Sequence, residues 1–141
     1  MNDNYFTFQN DLIVYVDMNK NIENLKSKNI EINSINQNYI CFKYNSLFDD
    51  YLMYNIGLHF HIIQLDSIEI WSESPKGSID ENFTYIEILL SKFYGVPIIN
   101  NKISNKRTIR CINDFQIDHF ILDRFGLEEH LIVYYKKNRL K

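Results

Sequence analysis

One segment of the chain carries a complete helix, with its own start and stop signals, in a sequence whose other segments are typical of β-strands. Thr84, followed three residues later by Glu87, matches a capping box, in which each side chain binds the backbone N–H of the other residue. Gly95 can adopt the positive φ that ends many helices, and Pro97 prevents continuation. We therefore expect a helix at about residues 85–94. Its buried face should consist of the apolar residues at helical spacing, Ile86, Leu89, Leu90 and Phe93.

The rest of the sequence alternates short strand-like segments with turns. Before the helix, two segment pairs flank residues 9–11 and 36–38, and a third pair turns at Asp66. After the helix, a polar loop over residues 100–106 precedes three further segments, with turns at 113–114 and 125–126. Short turns between successive strands favour antiparallel pairing. A short helix is also expected near residues 19–28, because Met18, Ile22 and Leu25 recur at helical spacing.

These elements predict an α+β fold, in which a mostly antiparallel, twisted sheet of meander hairpins carries the capped helix on one face. The 141 residues are enough for one domain with a substantial core, and no Pro-, Gly- or Ser-rich linker divides them. We therefore predict a single domain over residues 1–141. The last six residues contain four lysines and arginines, and we expect residues 136–141 to be a basic, frayed tail.

Composition excludes several classes of protein. A hydrophobic content of 45% is too high for a disordered chain. The net charge is −3, and residues 1–135 alone carry −7, so a nucleic-acid-binding surface is not expected. An acidic body is compatible with a basic protein partner, and it is equally compatible with ordinary solubility. The apolar runs are too short to cross a membrane, and the first residues lack the basic region of a secretory signal, which favours a cytoplasmic protein.

Two histidines, His59 and His61, lie two residues apart in a predicted strand, so both side chains should point to one face. A metal site would need a third ligand, for which His119 and His130 are the candidates. The alternative is that both histidines occupy the wetter face of a half-buried strand. That alternative is favoured, because no further ligand motif accompanies the pair, and no metal or cofactor is expected.

The sequence contains no recognisable catalytic constellation. Cys41 and Cys111 lie in strand-like segments, which favours buried, reduced thiols over nucleophiles or a disulfide. The four glycines are isolated from one another, so no phosphate-binding loop is present. We predict that no residue is catalytic and that the protein is not an enzyme.

Trp71 is the strongest functional candidate. In the predicted strand Ile68 and Ile70 point to one face, while Glu69, Trp71 and Glu73 point to the other. An aromatic anchor with a charged rim is typical of a protein-binding hot spot. The alternative is that another element covers the tryptophan. The loop residues Asp49, Asp50 and Tyr51 form a second acidic and aromatic patch, for which a solvated loop is the alternative.

The order of elements resembles that of small bacterial immunity proteins encoded beside polymorphic or contact-delivered toxins. The resemblance rests on a capped helix that ends in Tyr94-Gly95-Val96-Pro97, a polar loop, and paired strands that close with the segment 123–131, and it covers residues 56–135. It implies a cytoplasmic, non-enzymatic inhibitor that binds one cognate toxin. It assigns no functional residue, because such proteins diversify at the surface that meets the toxin.

Three functional hypotheses therefore follow from the sequence. The first is a toxin-neutralising protein that binds its partner through Trp71, Glu69 and Glu73, with Asp49, Asp50 and Tyr51 as a second patch. The second is a small metal-dependent enzyme or ligand-binding module that uses His59 and His61. The third is a structural or adaptor domain that forms a homo-oligomer through an exposed strand edge.

Overall fold

The computed structural model describes residues 4–9, 12–48, 50–101 and 106–139. It is an α+β fold with an eight-stranded and a two-stranded antiparallel sheet. The strands are β1 (Tyr5–Thr7), β2 (Ile13–Tyr15), β3 (Ile32–Asn36), β4 (Tyr39–Asn45), β5 (Met53–His61), β6 (Gln64–Ser72), β7 (Ile99–Asn101), β8 (Arg107–Ile112), β9 (Phe115–Asp123) and β10 (Leu127–Tyr135). The helices are α1 (Met18–Ser27), α2 (Ile79–Tyr94) and a single turn, α3 (Lys136–Arg139).

The large sheet is built from two meanders that meet in its middle. Its strand order is β3-β4-β5-β6-β10-β9-β8-β7, with antiparallel pairing throughout. The first meander runs inward to β6, and α2 then carries the chain to the opposite edge, from which β7 to β10 return. The predicted α+β class and antiparallel sheet are confirmed, because short turns between apolar segments permit only such hairpins.

Helix α2 ends where it was predicted to end, but it begins six residues earlier than expected. Its N-cap is Ser78, which forms a capping box with Glu81. The sequence thus contains two capping-box patterns, and the upstream one starts the helix. Thr84 lies inside α2, where its hydroxyl donates to the Asp80 carbonyl at 3.1 Å. At the other end, Gly95 has a φ of 85°, which a side chain would strain.

Two further details differ from the sequence-based expectation. The β5–β6 hairpin turns at Ile62 and Ile63, with φ values of 48° and 56°, and not at Asp66. A type I′ turn has positive φ at both turn positions, which normally selects Asn or Gly, so two isoleucines do not predict a turn. The Ile63 carbonyl accepts a hydrogen bond from the Met18 N–H, so a neighbouring segment holds this turn. In addition, β7 occupies the start of the expected polar loop, because Ile99 pairs with Ile109.

The hydrophobic core lies on one face of the large sheet. Alternate residues of β4, β5 and β6 point into it and pack with apolar side chains of α1, α2 and the β1–β2 hairpin. Helix α1 confirms the short helix expected near residues 19–28. It begins at the N-cap Asp17, whose carboxylate accepts the Asn19 N–H at 2.8 Å. No helix among the described residues is both long enough and apolar enough to cross a membrane.

The two cysteines are unpaired, but they are less buried than expected. Cys111 is exposed and Cys41 is half-buried. Each occupies the strand position that points away from the core, since the flanking residues Ile40 and Arg110 are the buried ones. Strand periodicity, rather than the general preference of cysteine for the interior, decides their exposure.

Candidate functional site

The face of the sheet opposite the core, called the open face below, carries Trp71 and Glu69. Among the described residues of this open face, most side chains are half-buried or exposed, and Gly57, Ser67 and Asp118 are the buried exceptions. The strand register arranges the face in cross-strand rows. One row runs Tyr39, His59, Ser67, Tyr134 and Gln116, and the next runs Cys41, Gly57, Glu69, Ile132 and Asp118. Trp71 lies in a third row with Lys43 and Asn55.

The predicted alternation along β6 is present in the structure. Ile68 and Ile70 are buried in the core, whereas Trp71 lies on the open face and is 39% exposed. Glu69 lies 3.2 Å from His59, and Glu73 forms an ion pair with Lys43. Both carboxylates are more than a third exposed, so these pairs add little stability and leave the charges available to a partner.

An aromatic region lies beside Glu69. The Tyr39 ring covers Gly57 so closely that a Cβ at this position would lie 2.7 Å from the tyrosine oxygen, and any larger residue would therefore displace the ring. The same ring is 4.8 Å from the His59 ring. Burial and a hydrogen bond with Cys41 raise the pKa of Tyr39 to about 12. The phenol therefore stays neutral, and this part of the face offers an uncharged aromatic surface.

A cleft opens next to Trp71, where β6 and β10 separate. Their pairing stops at Ile70 and Leu131, and the cleft beyond it has a volume of about 390 Å³. The first turns of α2 form its inner wall. The lining residues are Tyr54, Glu69, Ile70, Trp71, Ser72, Pro75, Ile79, Asn82, Ile86, Leu127, Glu128, Glu129, His130 and Leu131. The cleft therefore forms where the two meanders separate, and it is open to the same face as Trp71.

The second predicted patch does not join this face. The Asp50 carboxylate accepts hydrogen bonds from Tyr54 and from Tyr85 of α2, the latter at 2.8 Å, so it lies on the covered side of the sheet. Burial and this hydrogen bond raise the pKa of Tyr85 to about 12. Tyr51 is 84% exposed beside it. Asp49 lies outside the described residues. Asp50 is half-buried and ties the loop to α2, whereas the open face carries Trp71.

The four histidines are not brought together. His59 and Tyr134 share a cross-strand row, and His130 is four residues from Tyr134, a displacement of about 13 Å along the strand. His119 lies on the opposite, covered face and is fully buried. Within the part of the chain that the structure describes, no group of three histidines, cysteines or carboxylates is placed to hold a metal ion.

His119 belongs instead to a buried polar cluster between α2 and strands β8–β10. Its Nδ1 is 2.6 Å from Glu87 Oε2, and its Nε2 is 2.6 Å from Glu129 Oε2. Arg110 is 1% exposed and donates to Glu87 at 3.0 Å and to the Gly95 carbonyl at 2.8 Å. The Phe83 ring stacks on the His119 ring at 4.0 Å. Helix α2 is thereby bonded to three strands through side chains.

The side chains of the cluster are fully hydrogen-bonded. Burial raises the pKa of Glu87, but hydrogen bonds from His119, Arg110 and Thr108 together lower it to about 2. No buried side-chain nitrogen or oxygen of the described residues lacks a hydrogen-bond partner. Both ring nitrogens of His119 face carboxylates, so neither can contact a substrate in this arrangement. The cluster is suited to holding α2 in place.

Sequence analysis missed several residues of the open face: Tyr39, Arg107, Phe120, Ile132 and Tyr134. The alternation within each strand could have indicated them, because Phe120 and Ile132 each lie between residues that point to the core. What the alternation could not indicate is that β10 lies beside β6. That pairing alone brings Ile132 next to Glu69.

Comparison of the chain with models of protein families, with curated proteins and with solved structures finds no match.

Proposed function

We propose that the protein is a cytoplasmic, non-enzymatic binding protein that neutralises a cognate bacterial toxin by direct contact with the open face of its sheet. The observation that carries this proposal is the composition of that face. The face carries the aromatic and apolar side chains Tyr39, Trp71, Ile132 and Tyr134 together with carboxylates. Protein interfaces commonly combine aromatic and apolar side chains with polar ones.

The carboxylates of the open face support the same proposal. Glu69, Glu73 and Glu128 are each more than a third exposed. Exposed carboxylates among aromatic side chains favour a basic partner, because they accelerate association and reject acidic surfaces. The acidic balance of residues 1–135 acts in the same direction over longer distances.

The buried cluster supports a binding role over a catalytic one. Its ionisable side chains form a chain of contacts from Arg110 to Glu87, from Glu87 to His119 and from His119 to Glu129. Catalysis needs a group that can reach a substrate, whereas an inhibitor needs a rigid surface. Since the cluster fixes α2 against the sheet, it contributes to that rigidity.

The first prediction compares the two patches singled out in the sequence. The partner to test is the carboxy-terminal domain encoded by the gene immediately upstream. Trp71→Ala should weaken binding of that domain by at least about thirtyfold, the factor that corresponds to a hot spot of roughly 2 kcal/mol. Tyr51→Ala removes a large exposed aromatic from the loop before β5 and should change affinity by less than about twofold. Titration calorimetry measures both values.

Circular dichroism and thermal unfolding of each variant control for loss of structure. Because Trp71 also lines the cleft, Ile132→Glu provides a second disruption of the same face, and it should weaken binding while the melting temperature is retained. Co-expression with the toxin domain should protect growth only when the face is intact. An upstream product that neither binds the protein nor inhibits growth would reject the toxin-neutralising function.

A further inference from the structure

We infer that the cleft beside Trp71 is the binding site for an arginine side chain of the partner protein. This inference rests on the proposed function and names the chemical group that the open face is built to receive. It is drawn from the shape of the cleft, from the charges of its lining residues and from the position of its tryptophan.

The interior of the cleft suits an aliphatic stem. Ile70 and Leu131 form its floor at the last paired position of β6 and β10, and Ile79 and Ile86 of α2 line it from within. A volume of about 390 Å³ exceeds that of any single side chain, so an arginine can enter without displacing the wall. Burial of its methylene groups against these residues is favourable, while the guanidinium stays near the mouth.

The charges of the cleft select a cation. Three lining residues, Glu69, Glu128 and Glu129, carry carboxylates, and no lysine or arginine of the described residues lines the cleft. Glu129 is held by His119 and by Asn82, so its position is fixed from below. Glu128 already accepts a hydrogen bond from the exposed Arg124 at 2.8 Å. That surface pair is weak enough for an incoming guanidinium to replace it.

Trp71 favours arginine over lysine. Its indole forms one side of the mouth and is 39% exposed, which leaves part of its surface open to a ligand. A planar guanidinium can stack on an indole and bind a carboxylate with two parallel hydrogen bonds, whereas an ammonium group does neither as well. Arginine therefore satisfies the apolar floor, the aromatic side and the acidic rim together.

The experiment uses the intact protein and N-acetyl-arginine amide as the probe. Trp71 is the only tryptophan of the chain, so its fluorescence reports on this cleft alone. We expect a saturable change of fluorescence with a dissociation constant in the millimolar range, because the probe makes only the contacts of one side chain. The citrulline analogue has the same shape without the charge and should cause no saturable change. Glu69→Gln/Glu128→Gln should weaken arginine binding by about fivefold.

Glu23→Gln/Glu31→Gln is the matched control, because it removes the same charge from positions at α1 and before β3, away from the cleft. It should bind the probe like the wild type. Equal binding of citrulline, absence of saturation, or full binding by Glu69→Gln/Glu128→Gln would each overturn the arginine site. If Trp71→Ala still abolishes toxin binding in that case, the proposed function stands and only this inference fails. If the probe binds as expected but the upstream product does not bind, the arginine site stands and the proposed function fails.

Discussion

The covered face of the sheet has two halves of opposite character. Strands β4–β6 present a continuous apolar surface, and residues such as Ile56, Leu58 and Ile68 are fully buried there. On the other side of the central pairing, β8 and β9 add Arg110 and His119 to apolar residues such as Ile117, and both polar side chains bond to Glu87 of α2. One core therefore combines non-directional packing with a directional hydrogen-bond network.

The difference explains how the protein can keep one surface rigid. Apolar packing stabilises the fold but tolerates small shifts of the elements, since its energy depends mainly on buried area. A network of charged hydrogen bonds loses most of its value if its geometry changes, so it defines one position for α2. That position matters for function, because Asn82 of α2 and Glu129 of β10 also line the cleft beside Trp71.

The largest expected effect comes from removing Arg110 from the half of the covered face that contains the buried cluster, called the polar half below; the half formed by β4–β6 is the apolar half. Arg110→Ala leaves the half-buried Glu87 carboxylate without its guanidinium and should lower the free energy of unfolding by about 3 kcal/mol. Urea denaturation measures this value. Leu58→Ala removes a fully buried side chain from the apolar half and should lower the free energy of unfolding by about 2–5 kcal/mol. The two halves differ in what accompanies the loss: only Arg110→Ala should also reduce binding through the cleft at temperatures where the variant is folded.

Arg124→Ala controls for the loss of an arginine as such. Its partner Glu128 is exposed, so the variant should lose less than about 1 kcal/mol. A loss as small as this in Arg110→Ala would mean that the buried cluster contributes no more than a surface ion pair, and the contrast between the halves would disappear.

Acid should weaken the polar half selectively. The pKa of Glu87 falls from its ordinary value of 4.5 to about 2 in the folded protein, so its contribution is complete above pH 4.5 and disappears as the pH falls towards 2. The corresponding loss is about 3 kcal/mol. Chemical denaturation across this pH range, compared between the wild type and Glu87→Gln, isolates it. Leu58→Ala should keep the wild-type pH dependence, and an unchanged dependence in Glu87→Gln would contradict the assignment.

The smallest effect concerns the start of α2, which carries Asn82 and Phe83 into the polar half. Ser78→Ala removes the N-cap and should cost about 1 kcal/mol. Thr84→Ala should cost less than about 0.5 kcal/mol, because Thr84 is an exposed residue inside the helix. Thermal unfolding of both variants checks the order. A larger loss for Thr84→Ala would place the functional start of the helix at the downstream capping box.

Local signals account for the parts of the fold that the sequence predicted well. Gly95 and Pro97 end α2, and Asn113 and Gly126 sit at turns where positive φ is needed. Alternation along β6 correctly separated Ile68 and Ile70 from Trp71. Each of these features depends on residues within a few positions of one another, so local sequence patterns predict it.

The candidate site depended on information that no local pattern contains. The Ile62–Ile63 turn has no residues that favour positive φ, and it is held by the Met18 N–H from a distant segment. The pairing of β10 with β6 joins strands that lie more than 50 residues apart in sequence, and it creates both the open face and the cleft.

The sequence by itself determined the class of the fold, the hairpins and the face on which Trp71 lies, because backbone geometry and strand alternation act over a few residues. Tertiary structure decided the role of the ionisable residues. Glu87, which fits a helix cap in sequence, and His119, which fits a metal ligand, become partners in one buried cluster only when α2 packs on β8–β10. A charged side chain is stable in such a place only when its partners arrive with it, and those partners are distant in the chain.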